Sequence, residues 1–198
     1  HAGTRAFAEL TLDATDPKMR TFAECMSRRQ VLQMIDAMRE FGGDALKDVE
    51  LTGTGTQVGV RETRRVKGQY TLTEDDAKNG ARFKDVIAWR SGYLDIGFVR
   101  FEQMKIHDVP YRAIVPEKID GLLTAGRCIS ATHEAASAGK SMGNCVALGH
   151  AAGIAAAMAT QNRCQPREIN VAKLQDALRA EDVDLELGAR EQSGSMPT

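Results

Sequence analysis

Leu122-Leu123-Thr124-Ala125-Gly126-Arg127-Cys128-Ile129-Ser130-Ala131-Thr132-His133-Glu134-Ala135, continued by Ser141-Met142-Gly143-Asn144-Cys145-Val146-Ala147-Leu148-Gly149, is the stretch on which the fold turns. A short apolar run stops at Gly126, a loop of small residues follows, and helical composition begins near Met142 and lasts to about Thr160. Strand, loop and long helix in this order predict an α/β arrangement with α+β character. The start of that helix, Ser141 to Asn144, exposes unpaired amides and the positive end of the macrodipole, which suits an anionic or electron-rich acceptor. Between Ala147 and Ala159 large side chains are few, and Gly149-His150-Ala151-Ala152-Gly153 has the small-xxx-small spacing. In a soluble chain that spacing predicts a helix packed very close to a neighbouring backbone.

Outward from this stretch, the elements announce themselves through their ends. Asp16-Pro17 is a helix start, since Asp accepts from orphan amides and Pro lacks the donor that would go unmade. The helix runs to Phe41, with Phe22, Met26, Ile35, Met38 and Phe41 mostly three or four apart, and Gly42-Gly43 provides a left-handed exit. Thr73 followed by Glu74-Asp75-Asp76 starts a short helix that Gly80 ends. Short strands are expected at Val49–Thr52, Val66–Leu72, Val86–Trp89, Leu94–Ile96 and Tyr111–Val115, with Ser91-Gly92 a break and Pro110 and Pro116 boundaries. His107-Asp108, a weaker candidate for a titratable acid/base pair, reads rather as a turn before Pro110. Asn170 caps a last helix with Val171, Leu174 and Leu178 on one face, and the tail from Gln192 is expected to be disordered.

Composition limits the function. The chain has 198 residues, 26 Lys and Arg against 27 Asp and Glu, a net charge of -1 and 42% hydrophobic residues. That is ample for a packed core, and it lacks the basic footprint of a nucleic-acid binder. The weakly apolar stretch Cys145–Ala159 is shorter than the roughly 18 residues that suggest a membrane span, so no membrane partner is expected. Cys25, Cys128, Cys145 and Cys164 are widely spaced with no CxxC pair, which fits reduced thiols, a cytoplasmic location and no metal site. The chain opens on His1-Ala2-Gly3 rather than Met, as a cut inside something longer would.

Three groups carry candidate chemistry. Gly53-Thr54-Gly55-Thr56-Gln57-Val58-Gly59 has its third glycine one position too late for a dinucleotide fingerprint and runs into Arg61-Glu62-Thr63-Arg64-Arg65 rather than a helix. It reads as a plain glycine-rich loop. Arg61, Arg64 and Arg65 suit carboxylate or phosphate oxygens, or else form a charged strand edge with Glu62; strand alternation would put Arg61 and Arg65 on one face and Arg64 on the other. His133-Glu134 is a titratable pair that could move a proton beside a bound group, or simply close its own loop hydrogen bonds.

Two blocks resemble a known family. Gly59-Val60-Arg61-Glu62-Thr63-Arg64-Arg65 with Gly68-Gln69-Tyr70-Thr71-Leu72-Thr73-Glu74-Asp75-Asp76, and then Pro110 to Pro116 with Leu122 to Ala135 and Cys145 to Gly153, are similar to FAD-dependent oxidoreductases with the plan of fumarate-reductase-like flavoproteins. The resemblance spans about Gly55 to Leu185 with the order of blocks kept. It implies the C-terminal part of a two-domain FAD-binding flavoprotein, whose incomplete Rossmann-type domain returns a strand, loop and helix to the flavin. Residues 1–116 would be a substrate-facing region, 117–161 the C-terminal part of the FAD domain, and 162–198 a final helix and tail.

The same resemblance implies cofactor contacts at Gly126, Arg127, Gly143, Asn144 and Cys145, and catalytic roles for His133 and Arg61. The pyrophosphate-cradling glycine turn is not in this chain, so the FAD site would be incomplete without an N-terminal dinucleotide-binding half or subunit. The other implied partners are a small-molecule substrate and a possible second copy of the chain. Arg127 stands where many related flavoproteins have an acid, and Lys140 where Arg is expected. The alternative is a non-catalytic α+β assembly subunit that kept the fold without the cofactor.

Overall fold

A computed structural model describes residues 13–96 and 100–186. The chain divides into two compact units, His1–Thr63 and Arg64–Thr198. The expected disordered tail from Gln192 lies outside the described residues.

In the first unit, helix α1 spans Pro17–Phe41, with Pro17 in its first turn and the Asp16 carboxylate accepting the Lys18 N–H at 2.9 Å. The exit is at Gly42-Gly43, with Gly43 at φ +65°. The apolar positions do not form a buried stripe. Ala23 is the one buried residue of α1, while Phe22 and Phe41 are 47% and 78% exposed. The strand expected at Val49–Thr52 is irregular chain instead, held to α1 by the Arg39 Nε–H to Val49 carbonyl bond at 3.0 Å. A strand needs a partner ladder, and this unit offers it none among the described residues. Further on, Arg28 donates to the Thr56 carbonyl and Glu24 accepts the Val58 N–H. The glycine-rich segment 53–59 is a loop, and no helix follows it before Thr73.

In the second unit, helix α2 (Glu74–Asn79) has the full capping box between Thr73 and Asp76 and ends on Gly80 at φ +69°. The segment 66–72 is extended but is no regular strand. Val66 N–H donates to Cys128 O, Gln69 to Val115 O and Leu72 to Ser130 O, with an antiparallel bridge at Gly68 to Pro116 and a parallel one at Leu72 to Ala131. A segment that changes partner and direction within five residues cannot extend a ladder. The alternation expected for Arg61, Arg64 and Arg65 therefore has no strand to act on.

The one sheet among the described residues is antiparallel: β1 (Val86–Ile96) against β2 (Arg100–Pro110). The break expected at Ser91-Gly92 is a register shift inside a continuous strand, where Ser91 alone stands against Lys105 and Ile106 of β2, which carries the bulge. Strand β2 has no counterpart among the expected strands, and His107 and Asp108 lie in it rather than in a turn. After Pro110 the chain bends into a 3-10 turn at Tyr111–Ala113 instead of the expected strand, and the Tyr111 hydroxyl donates to the Pro166 carbonyl at 2.7 Å. Leu122–Ala125 is also extended without a ladder, tied through Thr124 N–H to Ile114 O.

Three more helices complete the unit: α3 (His133–Ala138), α4 (Met142–Asn162) and α5 (Val171–Ala180), the last capped by Asn170 with Leu174 and Leu178 buried. All three pack against β1. The architecture is mixed, of the α+β kind.

The core joins Ile87, Val109, Ile114, Ile129, Leu148, Leu174 and Leu178. Helix α4 enters it through Leu148, Ala151, Ala155 and Ala159. At 21 residues it runs past the Cys145–Ala159 stretch on both sides, and by length and composition alone it could cross a membrane; its buried stripe is what a core helix shows. Gly149 and Gly153 are not the close-packed positions that their spacing suggests. Both are exposed, and a Cβ on either meets nothing within 4 Å. Gly149 follows Leu148, and one step along a helix of 3.6 residues per turn rotates by about 100°, off the buried stripe.

Gly149→Ala should therefore stabilise the chain by about 0.5–1 kcal/mol through helix propensity. Ala155→Leu should cost about 1–3 kcal/mol through overpacking. Urea unfolding of both variants checks the pair, and a destabilised Gly149→Ala would show that this face is covered.

Candidate functional site

The start of α4 gathers most of the expected site residues. Gly126 opens a 3-10 turn (Gly126–Cys128) at φ +74°, a backbone state L side chains rarely adopt, and a Cβ there would stand 3.5 Å from Cys145 Sγ. Arg127 donates through Nε to the Lys140 carbonyl at 3.1 Å, tying this turn to the segment that enters α4. Asn144 is buried and donates from Nδ2 to the Ser91 carbonyl at 3.1 Å, which fixes α4 to β1 at the register shift. Gly143 is exposed with open space over it.

Ser141 is the N-cap residue of α4, yet its side chain makes no capping bond. The Cys145 amide closes the first helical bond, to the Ser141 carbonyl at 3.1 Å, so the amides ahead of it, those of Gly143 and Asn144 among them, are left for another acceptor. Gly126, Arg127, Asn144 and Cys145 are in this way brought together, with Gly143 beside them.

His133 is elsewhere on the same unit. It is the first residue of α3, not a loop residue, and it is exposed, with the Thr132 hydroxyl accepting from Ala135 N–H as the cap. Arg61 belongs to the first unit and is exposed. Lys140 is engaged locally: its Nζ donates to the Asp95 carbonyl at 2.9 Å and to Ser137 Oγ at 3.1 Å and stands 3.5 Å from the Asp95 carboxylate. Among the described residues no three His, Cys, Asp or Glu gather as a metal centre. An open cleft of about 570 Å³ lies towards the other end of α4, among Gly121, Ala152, Ala156, Arg163 and Cys164.

Two basic residues are buried in the sheet, Arg90, which the sequence gives no reason to single out, and His107, read there as part of a turn. Arg90 (1% exposed) and His107 (0%) face each other across β1 and β2. The guanidinium lies on Gly139, where any Cβ would collide with it, and among the described residues none of its three nitrogens has a hydrogen-bond partner. Burial lowers its pKa to about 10, against the pull of Cys145, so it remains charged at neutral pH. His107 pairs at Nδ1 with the Lys105 carbonyl, which can only accept, so Nδ1 carries the proton and Nε2 is left without a partner. Burial foremost, and then the Arg90 and Arg82 charges, lower the pKa of His107, against the Lys105 bond and Asp76.

The next residue shows how the fold normally treats a buried charge. Asp108 takes the Phe83 N–H at 3.0 Å and the Arg82 guanidinium at 2.8 Å, although burial still raises its pKa. Arg90 has no such counterpart. A lone Arg after the apolar run Val86 to Trp89 looks like a strand end, and only Gly139, far along the chain, makes room for it inside.

The sequence model of the family described as FAD dependent oxidoreductase matches residues 1–178. The chain belongs to that family. No curated protein matches the chain, and no solved structure does. Membership in the FAD-dependent oxidoreductases makes oxidoreduction with FAD the relevant chemistry, and the residues at the start of α4 fit the cofactor's needs. The fit rests on a left-handed glycine beside a thiol, an uncapped helix N-terminus that only donates, and a buried cation without an acceptor.

The depressed His107 pKa sets a pH dependence. The unfolded state binds its proton near pH 6.5 and the folded state resists it, so stability is full above that pH and falls as pH drops below it. The slope from this one group cannot exceed about 1.4 kcal/mol per pH unit. Denaturant titrations between neutral and mildly acidic pH should show the wild-type slope and a flatter one for His107→Gln.

Proposed function

We propose that this chain is the C-terminal portion of an FAD-dependent oxidoreductase of the fumarate-reductase-like plan, and that it completes the flavin site and part of the substrate pocket. The observation that carries this reading is the start of α4, where uncapped first-turn amides, Asn144 and Cys145 lie beside the left-handed Gly126. Bound FAD supplies hydride and electron transfer. This chain's part is to hold and polarise it. The amides of Gly143 and Asn144 donate to the pyrimidine edge, whose carbonyl and ring nitrogen accept, with Cys145 lining the same turn. Gly126 lets backbone pass close to the ribityl-diphosphate, and Arg127 braces that turn against Lys140.

His133, on the first turn of α3, is the proton-transfer residue in this reading. Arg61 binds an anionic group of a small-molecule substrate. The dinucleotide-binding half, on the same chain or a separate subunit, supplies the Rossmann-type part of the site and the affinity for the pyrophosphate. The protein acts in the cytoplasm, apart from nucleic acid and membranes, as a monomer or a homo-oligomer.

The test is to co-express the upstream coding region with this chain. A yellow protein with stoichiometric flavin is expected, while this chain alone stays colourless. A colourless assembled protein would favour an assembly subunit that has lost the cofactor. In the flavin-loaded protein, His133→Ala should slow flavin reduction by about 10²–10⁴-fold with flavin content unchanged. Stopped-flow reduction normalised to bound FAD checks this, and a near-normal rate would remove His133 from the chemistry.

A further inference from the structure

Arg90 and His107 are a buried pair with no part in the reading above. They are direct partners in the ladder, so their side chains leave the same face of the sheet, and they are 1% and 0% exposed. Among the described residues, Arg90 Nε, Nη1 and Nη2 and His107 Nε2 have no hydrogen-bond partner. Unpartnered polar atoms of two sealed side chains on one face mark an interior polar site. Gly139 closes it on one side, since its backbone lies on the guanidinium.

The charges around the pair decide what it takes. Arg82, which also acts on His107, is ion-paired to Asp108 at 2.8 Å, and Lys140 stands 3.5 Å from the Asp95 carboxylate. Asp76 acts on His107 from α2, but it already accepts from the Tyr70 hydroxyl and closes the Thr73 capping box. The group that acts on Arg90 from α4 is Cys145, a free cysteine. Each nearby carboxylate is therefore committed elsewhere, and the Arg90 charge has no anion of its own. A carboxylate or phosphate needs an open guanidinium fork, whereas a monatomic anion needs only N–H groups around it.

The tautomer of His107 sets the condition for filling. Nδ1 donates to the Lys105 carbonyl at 3.0 Å, so in the neutral ring Nε2 carries a lone pair. That lone pair repels an anion. A proton on Nε2 turns it into a donor and leaves two cations face to face, which is unfavourable unless a negative charge enters as well. Proton and anion together add no net charge to the interior, and each offsets the cost of the other.

We propose that Arg90 and His107 form a buried site for a monatomic anion, chloride under ordinary conditions, and that it fills only as His107 Nε2 takes up a proton. The site lets the fold answer acid by binding a halide, and it needs nothing bound at the start of α4. Linkage fixes its behaviour. One proton enters with each anion, so chloride affinity rises about tenfold per pH unit of acidification, until His107 is protonated even without the anion.

The test is urea unfolding of the 198-residue chain in sodium chloride and in sodium gluconate of equal ionic strength, at neutral and at mildly acidic pH. Gluconate screens charge as well but is too large for the site. Chloride should raise the unfolding midpoint above that in gluconate at acidic pH alone, with its half-saturating concentration falling about tenfold per pH unit. His107→Gln, which cannot take the proton, and Arg90→Gln should each abolish the acid-specific gain.

A chloride effect of equal size at both pH values is a general salt effect and overturns the proposal. So does the absence of any effect in acid, or a gain that survives in either variant. Should the variants fail to fold, wild-type crystals decide. Grown at acidic pH in sodium bromide, they should show an anomalous bromide peak within hydrogen-bond distance of the Arg90 guanidinium and His107 Nε2. No peak there, or equal occupancy at neutral pH, overturns the proposal.

Discussion

The bond from Asn144 Nδ2 to the Ser91 carbonyl, 3.1 Å long and buried, is where the helical layer is fixed to the sheet. It exists because the ladder is interrupted there, where Lys105 and Ile106 of β2 stand against Ser91 alone. The register shift between Arg90 and Gly92 takes Ser91 out of the ladder, and its carbonyl is left to accept from elsewhere. On one side of Ser91 the strand turns Arg90 inward; on the other, Gly92 leaves room for the Ala138 carbonyl at the end of α3. Three neighbouring residues of one strand thus place the end of α3, the start of α4 and a buried charge.

The rest of α4 follows from that anchor through small side chains. Leu148 fills the core once, and Ala151, Ala155 and Ala159 then let the helix axis run close to the structure beneath. Dispersion and area burial per residue are modest along such a face, so the helix depends on fit rather than bulk. Its far end is well satisfied, with the Arg163 and Cys164 amides donating to Thr160 and Ala159. The beginning lacks a side-chain cap.

What could be read in the sequence was what local chemistry decides. The Asp16 and Asn170 caps, the Thr73 capping box and the Gly80 exit each depend on groups within a few residues, and all appear as expected. The strands were poorly legible, because pairing is non-local. Val66–Leu72 has the composition of a strand and the partners of a loop, while β2, with Glu102, Gln103, Lys105 and Asp108, has a polar composition and still pairs along β1. For the site, Gly126 and the α4 start were visible as small residues before a long helix. Arg90 was not. Its burial depends on Gly139 and on His107 facing it, neither of which any local pattern connects to it.

Ionised side chains of the second unit are mostly paired. Asp85 pairs with Arg112 through two bonds, Asp76 takes the Tyr70 hydroxyl, and Arg167 spans to Asp120 and the Pro116 carbonyl, so ionised side chains across the second unit find partners. Against that background, among the described residues of the unit, the Arg90 nitrogens, Arg82 Nη1, His107 Nε2 and Asp108 Oδ1, which is ion-paired to Arg82, have no hydrogen-bond partner, and the α4 start has no capping side chain. The Arg90 guanidinium and the uncapped amides of α4 can only donate, so this part of the unit is electropositive and suits an acceptor rather than a cation.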